Sequence, residues 1–424
     1  MSAGGGGQLE IRALRAGDDL DAQADLSERA FGPRAVADRV NWRQLMGIVI
    51  EDGAFFGVFD AARPVGSALF FDMRQWWYGR PVAMAGVSSV KIAPEERGRG
   101  IGRRMMARLL DEIAARGFPL SVLYPATMPL YRSLGWELAG GRYSVVIPAR
   151  SLRTLMPPDA ALGATVSAGT VPPGTVPAGT VPAGARAEIR RAGPADAQAV
   201  IGVISRAHQA ARDSGPLTWD AAAMAVNLAR PGMYSYLCAD GFTSYKWDNG
   251  NEELFVAGVR AASAQSLRGL WSVIASHASI ARSVRVLTSP ADPLWWLTQE
   301  PDADLRHREM WMLRVVDAPA AIAARGFPAA VALDVPLRIN DQSRPANSGR
   351  WTLSVADGKG ELLPAGPGTT ADPLTVGARG LAALYAGTPL ASLRLAGLAE
   401  GGQPGADPAL DTAFAASPYL VDAF

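Results

Sequence analysis

One cysteine, Cys238, stands in 424 residues. The chain therefore has no internal disulfide and no thiolate cluster for a metal, and Cys238 is expected to be a buried, inert thiol. Histidine is nearly as scarce. His208, His277 and His307 lie too far apart for a helical or loop metal motif, so no metal is expected. No apolar run reaches the roughly 18 residues that span a bilayer. The opening Met1-Ser2-Ala3 and its four glycines lack the charged and apolar regions of a signal peptide, which implies a cytoplasmic protein with no membrane partner. Neither sign of charge dominates: 41 basic and 40 acidic residues leave a net charge of +1. Nothing draws the whole chain to nucleic acid, and any partner must be chosen locally. Lysine is also rare, with only Lys91, Lys246 and Lys359 among the 41 basic residues. With abundant Ala, Gly, Pro and Arg, this is how high-GC coding sequence reads, and it points to an actinobacterium.

What is present suffices for large cores. The sequence is 49% hydrophobic, and its length implies about three domains. Residues 161–186 carry Gly-Thr-Val-Pro-like units with a period of five, from Gly169 to Pro182. Regularly spaced prolines remove amide donors and favour extended chain, so this stretch reads as a linker or surface loop. It separates an N-terminal unit (1–160) from a second (187–316). In the first, a strand at Leu9–Leu14 precedes Asp18-Asp19, an N-cap cluster for a helix that Gly32-Pro33 stops. Strand-like stretches at 53–59, 65–73 and 82–92 form an antiparallel meander. An amphipathic helix follows from Gly100 to Arg116, then a strand at Leu120–Leu123. The second unit opens in the same way, since Ile189-Arg190-Arg191-Ala192 resembles Ile11-Arg12-Ala13-Leu14, which suggests an internal duplication. A third unit (317–424) reads as a small α+β domain.

The chemistry concentrates between the strand Val87–Ile92 and the helix that follows it. There the chain reads Arg97-Gly98-Arg99-Gly100-Ile101-Gly102-Arg103. Unpaired amides at a helix N-terminus hold anions such as a pyrophosphate, glycines let the backbone approach the oxygens, and arginines add charge-assisted bonds. A Gly/Arg loop alone is weak evidence; its place between strand and long amphipathic helix gives it meaning. The second unit has no such loop before its helix at Ala264, so it is expected to have lost ligand binding there.

In this context the sequence resembles the GCN5-related N-acetyltransferases, and Ala85-Gly86-Val87-Ser88-Ser89-Val90-Lys91-Ile92-Ala93-Pro94 narrows the likeness to the Eis (enhanced intracellular survival) family. Further carriers are Tyr131-Arg132-Ser133-Leu134-Gly135-Trp136, Trp311-Met312-Leu313-Arg314-Val315-Val316, Ala320-Ala321-Ile322-Ala323-Ala324-Arg325-Gly326-Phe327 and the aromatic chain end Phe424. The resemblance implies an α+β fold: tandem acetyltransferase regions, each a mixed, mostly antiparallel sheet with flanking helices, the second degenerate, then a sterol-carrier-like domain, assembled as a homohexamer. It implies acetyl-coenzyme A as cosubstrate, with the amides around Val90 and Ile92 on the pantetheine and Arg97, Gly98, Arg99, Gly100, Gly102 and Arg103 around the phosphates. Tyr131 would be the general acid, with Tyr124 its nearest rival. The first unit has no histidine, so a carboxylate must serve as base, and the resemblance assigns that role to the terminal carboxylate of Phe424.

For the acceptor, the resemblance implies amines of aminoglycosides, acetylated at several positions. Trp42, Phe71 and Ser89 match pocket-lining positions of the family, and Asp422 is an acidic candidate, while Ala423 departs from relatives that carry a carboxylate there. Two alternatives stay open at this point: acetylation of lysines or small polyamines, and a non-catalytic protein that binds acetyl-coenzyme A or lipid.

Overall fold

A computed structural model describes residues 9–15, 17–33, 36–155, 188–299, 303–366, 371–422 and 424. The repeat segment expected as a linker at 161–186 lies outside them. The N-terminal meander is present: Glu10–Ala13 pairs with Phe55–Asp60, that strand with Arg63–Trp77, and that in turn with Arg80–Ile92, all antiparallel. The last hairpin turns on Tyr78 and Gly79, with φ of +49° and +73°. Positive φ at both central residues matches the right-handed twist of the flanking strands. Asp19 caps the helix Leu20–Phe31 through the amides of Asp21 and Ala22. Asp18, its neighbour in the expected cap cluster, is paired with Arg12 instead. A helix that the sequence reading did not anticipate, Val36–Glu51, fills the stretch before Phe55. Its β-branched end Ile48-Val49-Ile50 favours a strand by propensity, but the burial of Met46 and Val49 against the sheet prevails.

The helix Ile101–Ala115 buries Ile101, Met105, Leu109 and Ile113 on one face, packed in the cluster that contains Phe55, Val58, Leu69 and Phe70. Each such side chain contributes about 1.5–3 kcal/mol of transfer free energy, which seats the helix firmly behind the loop that precedes it. Leu120–Leu123 then runs parallel to Arg80–Ile92. The strand beside it comes from far along the chain: Asp304–Val315 lies antiparallel between Leu120–Leu123 and Glu137–Pro148. Residues read as the second unit thus send their last strand into the first. Beyond Glu137–Pro148 the sheet continues through Ser283–Thr288, Glu253–Ala261, Gly241–Asp248, Tyr234–Cys238 and Arg190–Ala192, making one sheet of 14 strands among the described residues.

The C-terminal unit is a five-stranded sheet, ordered Lys359–Pro364, Gly349–Ala356, Leu333–Asn340, Leu374–Gly377, Ala399–Gly401, with helices Ala318–Ala324, Ala378–Tyr385, Leu390–Leu395 and Asp407–Phe414. The fold is α+β throughout. After the last helix the chain returns to the large sheet, where Tyr419–Leu420 pairs in parallel with Gly141 and Arg142. Among the described residues no helix is long and apolar enough to cross a membrane.

Buried cations join the units. Arg314, on the inserted strand, is fully buried with Asp341 of the C-terminal unit, both carboxylate oxygens lying within 2.7 Å of its Nη2. Its Nε donates to Leu134 O at 2.9 Å and its Nη1 to Val315 O at 2.6 Å. A β-carbon at Gly135, where φ is +92°, would come within 2.8 Å of Arg314 Nε, so glycine is required there. Glu137 receives Arg132 from its own unit and Arg379 from the C-terminal one. Burial opposes its ionisation, but these bonds and the Leu138 amide hold its carboxyl below the ordinary value. Arg325 has no carboxylate partner among the described residues; its guanidinium lies 4.7–5.7 Å from the ring centres of Trp77, Phe327, Tyr385 and Phe414. Burial pushes its pKa down to about 10, so it remains charged. Removing one partner of a dry ion pair strands the other. Arg314→Met should therefore destabilise the protein by about 3–5 kcal/mol, seen as a lowered midpoint in thermal or urea unfolding, with Arg314→Met/Asp341→Leu recovering most of the loss.

Candidate functional site

The site begins where two parallel strands part. Met84–Val87 pairs with Leu120–Leu123, and pairing stops there. Ser88–Ile92 continues with a neighbour on one side only, the segment Gly66–Leu69. Ser89, at φ +53°, sits at the accompanying register shift, a bulge that bends the strand away from its parallel partner. The Ala93 amide donates to Val65 O at 2.8 Å. Strand alternation therefore turns the amides of Val90 and Ile92 toward the open edge of the wedge.

At the end of that strand, a short turn Pro94–Glu96 leads into the glycine loop. Gly98 and Gly100 have φ of +79° and +72°, and Gly100 is the left-handed N-cap of the helix Ile101–Ala115. Helical bonding starts with the Arg104 amide donating to Gly100 O at 3.2 Å, which leaves the preceding first-turn amides without intrahelical acceptors. A β-carbon at Gly98 or Gly100 would meet nothing within 4 Å, so the space before the loop is open. At Gly102 it would make ordinary contacts of 3.7 Å with Ile92 and Leu130. Arg97, Arg99 and Arg103 are exposed. Arg99 is anchored by Glu96, which also accepts from Arg63 Nη2 at 2.6 Å. The Arg63 bond, ahead of Arg99, holds the Glu96 carboxyl below its ordinary value. Open space, unpaired amides and several guanidiniums make a cradle suited to a polyphosphate.

Tyr131 lies on the short helix Met128–Arg132, directly after the strand Leu120–Leu123. It is buried, edge-on to Trp136 with ring centres 6.4 Å apart. Burial alone raises its pKa to about 12. The phenol therefore keeps its proton across the neutral and moderately alkaline range. Tyr124 is committed elsewhere: its hydroxyl donates to Asp422 O at 2.7 Å, and its ring packs on Phe424 at 5.5 Å between centres. Burial, chiefly, pushes its pKa up, against the opposing charge of Arg142. The Phe424 ring lies at the floor of the wedge, where a β-carbon on Gly86 would come within 3.1 Å of it. Asp422 faces Arg260 at 3.7 Å, so its charge is matched from within the chain. Phe71 pairs in register with Gly86 and stands edge-on to Trp219 at 5.5 Å. Trp42 is half-buried against the first unit's core.

Sequence reasoning missed Trp219, Arg142 and Arg260. All three reach the wedge through strand pairing or tail contacts with partners more than a hundred residues away. The usable hints were glycines within or beside strands, a sign of close backbone approach. A β-carbon at Gly140 would collide with the Pro418 carbonyl, and one at Gly215, φ +103°, with the Tyr419 carbonyl.

The second unit repeats the frame without the cradle. Glu253–Ala261 and Ser283–Thr288 pair in parallel up to Val256 and Val286, and Gly258, φ +98°, marks a bulge as Ser89 does. Its helix Ala264–Ala275, however, is capped by Ser263, and the hydroxyls of Ser263 and Ser266 donate to Asp240. An anion there would meet a carboxylate. A cavity of about 420 Å³ opens beside this second wedge, lined by His208, Arg260 and Asp292 on one side and by the tail residues Ala415, Ser417 and Tyr419 on another.

Comparison with known proteins finds two acetyltransferase regions followed by a sterol-carrier-like one. An acetyltransferase (GNAT) domain model matches residues 10–139, a second acetyltransferase (GNAT) domain model matches 212–315, and a sterol carrier protein domain model matches 318–421. The crystal structure of a GCN5-related N-acetyltransferase from Kribbella flavida superposes with a TM-score of 0.87 at 41% identity, covering 98% of each chain. N-acetyltransferase Eis of Mycobacterium tuberculosis is 28% identical over 76% of each chain. An uncharacterized N-acetyltransferase of Streptomyces avermitilis is 29% identical over 98% of this chain and 99% of its own. Gly100→Ala, which forces a left-handed alanine at about 1–2 kcal/mol, should weaken coenzyme A binding about tenfold in a calorimetric titration, whereas Gly102→Ala stays within about twofold of the parent.

Proposed function

Because the chain belongs to the GCN5-related N-acetyltransferases and, within them, to the Eis family, it uses acetyl-coenzyme A to acetylate an amine, and we propose that its acceptors are aminoglycosides, modified at several amines. The observation that carries this reading is the Phe424 ring beside Gly86 and Tyr124, at the floor of the wedge. In this reading the acceptor amine approaches beside the chain end. Support for a polycationic acceptor comes from carboxylates close by: the Asp52 carboxyl is raised by burial first and then by Asp220, against Arg116, with Asp72, itself paired to Arg74, adding. Phe71, half-buried and backed edge-on by the buried Trp219, offers an apolar face against which a sugar ring packs. A homohexamer belongs to the same reading and is tested by light scattering.

Acetyl-coenzyme A supplies an activated acyl group on sulfur. The Gly98–Arg103 loop holds its phosphates, and the amides of Val90 and Ile92 bond its pantetheine arm. In this scheme the terminal carboxylate of Phe424 takes a proton from the attacking amine, and transfer is direct, since the sole cysteine, Cys238, lies outside the first unit. Tyr131 donates a hydrogen bond to the sulfur as it gathers charge. A phenol near pKa 12 does not ionise fully toward a thiolate of ordinary pKa about 8.5, so donation rather than complete proton loss is its role.

Tyr131→Phe should lower kcat by about 10²–10³-fold with coenzyme affinity retained. Since Tyr131 does not titrate below about pH 11, the loss should be the same at about pH 7 and about pH 9.5. Two residues added after Phe424 should abolish turnover while leaving coenzyme binding intact; full activity in that variant rejects the terminal base. Rates on kanamycin-type sugars, polyamines and lysine peptides test the acceptor, and negligible turnover of every aminoglycoside tried rejects that class.

A further inference from the structure

A chain terminus ordinarily frays, because fixing each residue's backbone costs about 1–2 kcal/mol and few contacts offset it. The described tail residues, Pro418–Asp422 and Phe424, are held instead at successive points by both acetyltransferase-like units. From the second unit, Ser214 O accepts the Tyr419 amide at 3.2 Å, and Gly215 admits the Tyr419 carbonyl at close range. From the first, Gly141 and Arg142 pair with Tyr419 and Leu420, and Arg142 Nε donates to Val421 O at 3.5 Å. Asp422 is gripped twice: its carbonyl accepts from Tyr124 Oη at 2.7 Å, and its carboxylate faces Arg260 Nη2 at 3.7 Å. Arg260 is itself fixed by Ala257 O at 3.2 Å and is only 11% exposed. Asp422 lies two residues before Phe424, whose ring rests on Tyr124.

We propose that Tyr124 and Arg260 are positioning residues that clamp Asp422 from two units and so fix where the terminal carboxylate of Phe424 is presented. This rests on the terminal-base reading above. It gives the second unit, which has no phosphate cradle, a part in the reaction: it supplies one jaw of the clamp. Neither residue touches the reacting atoms in this scheme; both act through the tail. Burial keeps the Tyr124 phenol protonated, so its bond to Asp422 persists at every working pH.

Misplacing a reacting group by about 1 Å costs up to about 10²-fold, so loss of one jaw should lower kcat by about five- to twenty-fold. Tyr124→Phe, which keeps the ring, and Arg260→Gln should each do this while the KM for acetyl-coenzyme A stays within about twofold. Because both act through one tail, the double variant should lose little more than the worse single variant. Equal and independent losses that multiply in the double variant would overturn the clamp, as would unchanged kcat in either single variant. A loss from Tyr124→Phe as large as that from Tyr131→Phe would make Tyr124 an acid instead and also overturn it. The extension beyond Phe424 separates the two ideas. An inactive extension with fully active Tyr124→Phe leaves the terminal base standing and removes the clamp, whereas a fully active extension removes the base itself.

Discussion

The architecture depends on one fully buried ion pair. Arg314 comes from the strand that the second unit lends to the first, and Asp341 from the C-terminal unit. Through Nε and Nη1 the guanidinium also binds Leu134 O and Val315 O. Asp341 in turn accepts the Arg344 amide and Asn347 Nδ2. A guanidinium offers its donors in a rigid plane, so satisfying them fixes orientation as well as distance. Burying both charges yields little net stability. What it sets is geometry: Leu134 closes the turn that carries Tyr131, and the C-terminal unit ends in the tail that reaches the wedge. The donor side and the tail are thereby referred to the same point.

Much of this was legible in the sequence where the signal was local. The meander, the helix behind the loop and the loop itself each follow from residues within a dozen positions: apolar alternation, helical periodicity, and glycines at positions that need positive φ. The copy at Ile189 was legible for the same reason. Its missing arginines told less than the structure does, since Ser263, Ser266 and Asp240 close the helix end with a carboxylate. Nothing local marks helix Val36–Glu51, whose β-branched Ile48-Val49-Ile50 leans toward strand by propensity; the burial of Met46 and Val49 against the sheet decides for helix.

What stayed hidden was pairing between distant parts of the chain. Nothing in Asp304–Val315 itself says that its neighbours are Leu120–Leu123 and Glu137–Pro148. The strand Leu217–Trp219 likewise gives no sign that it adds to Arg63–Trp77 and brings Trp219 against Phe71. Arg260 lies near the end of an ordinary-looking strand, and its carboxylate partner, Asp422, comes from the returning tail. Gly135, Gly140 and Gly215 were visible as letters, but what each makes room for belongs to another segment.

The lent strand also bears on how such a chain can change over time. A gene cut back to its first 160 codons would leave Leu120–Leu123 and Glu137–Pro148 facing an empty slot, with their ladder bonds unpaired and Arg314 gone from beneath Gly135. The second copy, though stripped of its cradle, cannot be deleted without opening the first. Where two units interlock through an exchanged strand, the one without a cradle is free to drift in sequence but not to leave.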